Sequence, residues 1–97
     1  MTTQTGEELR RTVTICNQRG LHARASAKFV GTVAAFPAGC RVRVIRDSNE
    51  AAGGSILGLM MLGAAKGDDI VIATSGTGAQ EALEKLCALV EDRFGEE

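Results

Sequence analysis

Residues 40–52 read CRVRVIRDSNEAA and carry the clearest secondary-structure signal in this chain of 97 residues. Val42 and Val44 alternate with arginines, which is the two-residue period of a half-buried β-strand. Asp47-Ser48-Asn49 predicts a hairpin turn into a short strand at residues 50–52. A strand that is apolar on one face and charged on the other is typical of an antiparallel sheet with helices on a single side.

Periodicity on either side of this hairpin predicts two more strands and three helices. Val13 and Ile15 alternate with threonines in one strand, and Ile70 and Ile72 share one face of the other. The predicted elements outside the hairpin are strands at residues 10–16 and 69–74 and helices at residues 23–36, 55–62 and 77–94. The element order is therefore β-α-β-β-α-β-α.

The long helices each show an apolar face, and the last one also shows a start signal. In the first helix the residues expected to face the core are Ala27, Val30, Val33 and Ala34, and in the last they are Leu83, Leu86 and Val90 with the nearby Ala79 and Leu89. Thr77 and Gln80 have the spacing of a capping box, which predicts that the last helix begins there.

These elements predict an α+β fold, an open-faced β-sandwich in which a four-stranded antiparallel sheet carries three helices on one side. The length of the chain allows one domain, which we expect to span residues 9–97. Residues 1–8 are polar and acidic, and we expect them to form a flexible leader.

Composition argues against several classes of function. No stretch approaches the roughly 18–20 apolar residues of a membrane span, and the first residues resemble no signal or transit peptide, so we expect a cytoplasmic protein that does not bind membranes. The chain has no Trp or Tyr to stack nucleic-acid bases. Cys16, Cys40 and Cys87 lack ligand spacing, so we expect buried reduced thiols and no metal or cofactor.

Charge is distributed unevenly along the chain. Every charged side chain between residues 9 and 46 is basic, whereas the acids lie before and after this segment. A basic half predicts an acidic partner or a phosphate ligand. The alternative is a solvated face without a function.

The single histidine, His22, lies where the first helix begins, at or near the position of its cap. Free N–H groups from Ala23 and Arg24 onward, together with the positive end of the helix dipole, form an anion site. Arg24 adds a guanidinium fork that suits phosphate. The dipole also disfavours a protonated imidazole, which leaves a lone pair for attack on phosphorus. By spacing alone, a histidine at a helix start is more often a surface residue or an imperfect cap.

Two segments resemble the HPr family, the histidine-containing phosphocarriers of the bacterial phosphotransferase system. Residues 20–24, GLHAR, followed by AKFV at 27–30, are similar to the active-site segment of that family. Residues 55–63, SILGLMMLG, resemble its segment with a regulatory serine. The separation of the two segments and the order of elements also match, over roughly residues 9–94.

The resemblance implies that His22 carries a phosphoryl group on Nδ1. The donor would be enzyme I, itself phosphorylated from phosphoenolpyruvate, and the acceptor a IIA-type protein. Arg24 matches the active-site arginine by position. Many members have proline after this arginine, whereas this chain has Ala25, which is expected to soften the helix start and lower the transfer rate. The sequence looks closest to a regulatory branch of the family.

The helix from Ser55 combines a cap with two apolar stripes. Serine is a favoured N-cap, and the resemblance adds that an HPr kinase/phosphorylase phosphorylates the matching serine in some members. Leu57, Met60 and Met61 form one stripe, which we predict stays exposed and docks partner proteins. The alternative is that this stripe and its neighbour, which consists of Ile56, Leu59 and Leu62, both belong to the core.

Two other functions compete with the phosphocarrier. The first is a regulatory relative that works by docking without transfer. The second is a small phosphatase-like enzyme, which would need a positioned water and a general base near His22. The intact GLHAR segment favours a carrier with a transient phosphohistidine over a turnover enzyme. A carrier that presents one histidine to successive partners is expected to be a monomer.

Overall fold

The computed structural model describes residues 7–96, which form the predicted α+β fold. Its elements in chain order are β1 (Leu9–Thr14), α1 (Ala23–Ala34), β2 (Cys40–Arg46), β3 (Asn49–Ala52), α2 (Ile56–Met61), β4 (Asp69–Gly76) and α3 (Ala79–Glu91), followed by a short 3-10 helix at Arg93–Gly95. Most of the expected leader at residues 1–8 lies outside the described residues. Glu8 is described, and it forms an ion pair with Arg43 at 2.7 Å.

Within residues 7–96 the strands form one antiparallel sheet in the order β1-β4-β2-β3. Val44 of β2 is paired with Ile72 of β4, and Val13 of β1 with Ile70. These four side chains are buried, so the faces predicted from alternation are confirmed. The helices cover this face and complete the open-faced sandwich. No helix among residues 7–96 is long and apolar enough to cross a membrane.

The buried face of α1 agrees with the predicted one only in part, since Val30 and Val33 pack against the core as predicted. Ala27 and Ala34 are exposed, whereas Ala25, Ser26 and Phe29 are buried. The prediction was wrong for the two alanines because it weighted small apolar residues and ignored Ser26, whose hydroxyl donates to the Leu21 carbonyl at 3.2 Å and can therefore be buried. Phe29 contributes the largest apolar surface and fixes the rotation of the helix.

The predicted capping box of α3 is also wrong. The helix begins at Ala79 behind Gly78, which has φ 73° and provides no side-chain cap. The backbone N–H of Thr77 donates instead to the Gly39 carbonyl at 3.2 Å, which holds Thr77 outside the helix. A left-handed glycine then turns the chain into α3 without steric cost.

The C-terminal end of α3 lies before its predicted position at residue 94. The last helix ends at Glu91, not at Phe94, because Arg93 and Phe94 both have left-handed backbones with φ near 57° and 56°. This turn buries the Phe94 ring completely. It also redirects the chain after α3 toward the beginning of α1.

Candidate functional site

His22 is the N-cap of α1, as the sequence predicted. Its extended backbone precedes the helix, and its Nδ1 accepts a hydrogen bond from the backbone N–H of Arg24 at 3.3 Å. The expectation that this N–H lacks a side-chain acceptor is therefore wrong. The Ala23 amide, at the first helical position, has no intrahelical acceptor by geometry. Nδ1 thus faces the positive end of the helix.

The loop before His22 is fixed by a tight turn at Gly20. This residue has φ 63°, and a Cβ there would lie 2.4 Å from the Ala64 carbonyl oxygen, so a side chain is excluded. The next amide, of Leu21, donates to that same carbonyl at 3.0 Å. Asn17 closes the loop from the other side, since its Nδ2 donates to the Gly20 carbonyl at 2.9 Å. The position of His22 therefore depends on the loop that follows α2 as well as on α1.

Glu96 contacts the other nitrogen of the His22 ring. The distance from Nε2 to Oε2 of Glu96 is 2.8 Å, and the His22 side chain is only 14% exposed. Asn17 donates to Oε1 of the same carboxylate at 3.2 Å. Because Nδ1 accepts from an amide, the hydrogen of the neutral ring belongs on Nε2, which donates it to Glu96. The contacts thus select the tautomer whose lone pair is on Nδ1.

The hydrogen bonds at Glu96 also affect its ionisation. Partial burial alone would raise the pKa of this carboxyl, but the hydrogen bonds from His22 and Asn17 and the nearby charge of Lys28 outweigh it, so the pKa is lowered. Lys28 further holds this part of the chain, since its Nζ donates to the Phe94 carbonyl at 2.8 Å. Sequence analysis missed Glu96, which is 74 residues from His22, and no local pattern indicates it.

Arg24 contributes its backbone to the site, as described above, and its side chain is exposed. Among residues 7–96 the guanidinium forms no ion pair. The two predicted site residues thus lie in one short segment at the start of α1, where an exposed cation and an oriented imidazole are two positions apart. Such a pair can bind an anion and attack phosphorus.

Comparison with known proteins is consistent with this geometry. A family model described as "PTS HPr component phosphorylation site" matches residues 9–92. The chain belongs to the HPr family. Phosphocarrier protein HPr of Pseudomonas aeruginosa is 46% identical over 85 residues, which cover 87% of this chain and 92% of that protein. Phosphocarrier protein NPr of Shewanella violacea is 39% identical, with 92% of this chain and 96% of that protein covered.

Solved structures show the same fold for HPr proteins. The crystal structure of HPr-C-His from Thermoanaerobacter tengcongensis matches with a TM-score of 0.85 and 36% identity, over 92% of this chain and 98% of that one. The similarity therefore extends over nearly the whole of both chains. This HPr-family protein is accordingly a phosphocarrier of the phosphotransferase system.

Ser55 lies at the start of the second HPr-like segment and caps α2. Its hydroxyl oxygen accepts a hydrogen bond from the Gly58 backbone N–H at 2.9 Å, which confirms the predicted N-cap. The side chain is partly exposed. A phosphate at this position would adjoin the N-terminal end of the short helix.

The predicted docking stripe of this HPr-family protein is exposed. Leu57 is 67% exposed, Met60 40% and Met61 76%, whereas Leu59 is fully buried. The alternative that both stripes belong to the core is therefore wrong. Ile56, which the sequence placed with the core-like stripe, is 41% exposed and lies at the edge of the same surface. We call Ile56, Leu57, Met60 and Met61 the apolar surface of α2.

The cysteines of this HPr-family protein are all unpaired. Cys87 is buried, but Cys16 and Cys40 are only partly so, which corrects the expectation that all three are core residues. Burial raises the pKa of the Cys87 and Cys40 thiols. Residues 7–96 contain no group of three His, Cys, Asp or Glu side chains that could hold a metal.

Proposed function

We propose that the protein accepts a phosphoryl group from phosphorylated enzyme I on Nδ1 of His22 and passes it to a IIA-type protein. In this proposal, phosphoenolpyruvate is the original source of the phosphate. The observation that carries the proposal is the His22 ring, whose Nδ1 accepts an amide hydrogen bond at the N-terminus of α1. That hydrogen bond requires an unprotonated Nδ1, which is the form that attacks phosphorus.

The surroundings of Nδ1 suit the phosphoryl group that would be bound there. On transfer, a phosphate oxygen replaces Nδ1 as the acceptor of the Arg24 amide, and the Ala23 amide supplies a second donor. The exposed guanidinium of Arg24 can donate to two further oxygens. These groups supply the positioning and charge stabilisation that phosphoryl transfer requires.

We further propose that enzyme I and the IIA-type protein dock on the apolar surface of α2. Its methionines can adapt to more than one partner surface. Basic side chains at Arg19 and Arg24 favour acidic partner surfaces around it. Phosphorylation of Ser55 by an HPr kinase/phosphorylase would add negative charge beside this surface and weaken docking.

The cellular setting that we propose is a cytoplasmic monomer in a regulatory branch of the phosphotransferase system. Ala25 in place of the proline found in many family members supports slower transfer, which suits regulation better than high sugar flux. A monomer leaves His22 and the apolar surface of α2 accessible to each partner in turn. Light scattering of the purified protein tests its oligomeric state.

The decisive experiment is intact-mass analysis after incubation with enzyme I and phosphoenolpyruvate. The protein should gain one phosphate that acid removes and mild base does not, which distinguishes phosphohistidine from phosphoserine. His22→Ala should gain none, whereas Ser55→Ala should gain as much as the wild type. Uptake of an acid-labile phosphate by His22→Ala would refute the proposal.

Glu96 supplies a carboxylate near His22, which the phosphatase-like alternative requires. Its oxygens are occupied by His22 Nε2 and by Asn17. The two ring nitrogens point in diverging directions, so this carboxylate is on the side of the ring away from Nδ1. It is therefore poorly placed to activate a water against a phosphate on Nδ1, and the carrier explains the geometry better.

A further inference from the structure

A carboxylate from the far end of the chain contacts the one histidine of the protein, and the phosphocarrier chemistry described above does not use it. Glu96 reaches His22 because the backbone after α3 turns through left-handed conformations at Arg93 and Phe94. Left-handed conformations at two non-glycine residues are costly and persist only where the surrounding structure fixes them. Here the buried Phe94 ring and the hydrogen bond from Lys28 to its carbonyl fix them.

We propose that Glu96 is a positioning residue for phosphoryl transfer, which holds the hydrogen of the His22 ring on Nε2 and balances the charge that the ring acquires. The proposal rests on the function proposed above, in which Nδ1 is the acceptor. The hydrogen bond from Nε2 to Oε2 is 2.8 Å long, and the ring is largely shielded from water. A carboxylate that orients an imidazole in this way stabilises both the tautomer and the cationic ring.

The transfer step shows why the charge matters. The Nδ1 lone pair forms the new N–P bond, the bond between phosphorus and the donor breaks, and its electron pair leaves with the donor atom. Nε2 keeps its hydrogen throughout, so the His22 ring becomes positively charged. That charge develops within hydrogen-bonding distance of the Glu96 carboxylate. The favourable interaction is therefore stronger after attack than before it, which is the condition for a rate effect.

Asn17 is the residue that aligns this carboxylate. It is 1% exposed, and its Nδ2 donates both to the Gly20 carbonyl and to Oε1 of Glu96. Its Oδ1 has no hydrogen-bond partner among residues 7–96. The reversed amide would place Oδ1 against two acceptors, so the observed orientation is the one the contacts require. Both hydrogen bonds of the buried Asn17 amide are therefore made by its Nδ2, and they link the loop to Glu96.

The tautomer of His22 can be measured without any phosphoryl donor. Nitrogen-15 NMR of the ring at about pH 8.5, where an ordinary histidine is neutral, reports which nitrogen carries the hydrogen. The wild type should show the Nε2–H form. Glu96→Ala should shift the population toward the Nδ1–H form or a mixture, and Glu96→Gln should retain Nε2–H because its amide oxygen still accepts. Glu84→Ala removes an exposed carboxylate of α3 and should match the wild type.

Transfer rates from phosphorylated enzyme I complete the test. Glu96→Ala should slow phosphorylation of His22 by about ten- to a hundredfold, since misorientation of a reacting group costs up to about 10²-fold. Glu96→Gln should be intermediate, because it keeps the tautomer but loses the charge. Final phosphate incorporation and melting temperature should stay close to those of the wild type.

The outcomes separate this proposal from the one on which it rests. A wild-type tautomer and wild-type rate in Glu96→Ala would overturn the positioning role while leaving His22 as the phosphate acceptor. Phosphorylation of His22→Ala at an acid-labile site would overturn the proposed function itself. A slow Glu96→Ala that keeps the Nε2–H form, with Glu96→Gln equally slow, would overturn the tautomer role alone.

Discussion

Replacement of Met61 by glutamate should weaken binding to enzyme I while leaving folding nearly intact. The Met61 side chain is 76% exposed, so folding removes only about a quarter of its surface from water. Substitutions at such positions usually change the free energy of unfolding by less than about 0.5 kcal/mol. In a domain of this size that corresponds to a shift in melting temperature of about 2–4 °C at most.

The expected loss of binding is larger than the loss of stability. Complete burial of a methionine contributes about 1.5–3 kcal/mol, and most of that gain is still available to a partner that covers Met61. Loss of this burial in the complex, together with desolvation of the introduced carboxylate, should weaken binding by about 1–2 kcal/mol or more. The dissociation constant should therefore rise by about fivefold to thirtyfold or more.

Calorimetric titration with unphosphorylated enzyme I measures the affinity, and circular dichroism measures the melting temperature. Leu59→Ala is the folding reference, because Leu59 is fully buried on the same helix and its truncation should cost about 2–5 kcal/mol. Ala88→Glu adds the same charge to an exposed position of α3 and should bind normally.

Two results would contradict the reasoning about Met61. Unchanged affinity in a folded Met61→Glu would remove this residue from the docking surface. A fall in melting temperature as large as that of Leu59→Ala would mean that Met61 serves the core.

Three further perturbations test other parts of the molecule. Arg24→Lys replaces a two-pronged donor by a point charge and should slow transfer by about ten- to a hundredfold, which corresponds to about 1.4–2.8 kcal/mol of barrier. Rapid-quench kinetics measures this rate. An equal rate would remove the guanidinium from the mechanism. Ser55→Asp should keep or slightly raise the free energy of unfolding, because the introduced charge suits the start of α2. It should nevertheless accept phosphate more slowly than the wild type at low salt, and high salt should restore the rate. Wild-type kinetics at low salt would leave Ser55 as a helix cap only. Hydrogen bonds from Arg43 lower the pKa of Glu8 from 4.5 to about 2, so this group stabilises the fold above about pH 4.5 and the contribution is lost as the pH falls toward 2. After allowance for solvent screening, Glu8→Gln should cost about 1 kcal/mol in urea denaturation at neutral pH and only a small fraction of that at pH 2. A cost that does not depend on pH would refute the ion-pair explanation.

Local sequence determined the features that depend on near neighbours. Alternation placed Val13, Ile70 and Val44 on the buried face because successive strand side chains point to opposite faces. The position of His22 at the start of α1 and the capping role of Ser55 followed from residue type and from the helical pattern that comes next. The basic residues around His22 likewise predicted an anion site from charge alone.

Helix rotation and helix limits depended on contacts that local patterns do not contain. Ala27 and Phe29 are both apolar, and packing decided between them, because the larger ring gains more from burial. Thr77 has the chemistry of a cap, but its amide is bound by Gly39, far away in sequence. Phe94 continues the apolar pattern of α3, yet its left-handed backbone ends the helical geometry before it.

The sequence likewise determines one part of the environment of the His22 ring, and the tertiary structure determines the other. The sequence determined that an imidazole stands at a helix start beside an arginine, since these residues are consecutive. The tertiary structure alone brought Glu96 to Nε2 across 74 residues. That contact depends on the turn after α3, on the burial of Phe94 and on the amide of Asn17, which together set where Glu96 lies. A hydrogen bond requires placement within a few tenths of an ångström, and only the packed fold fixes distant segments to that accuracy.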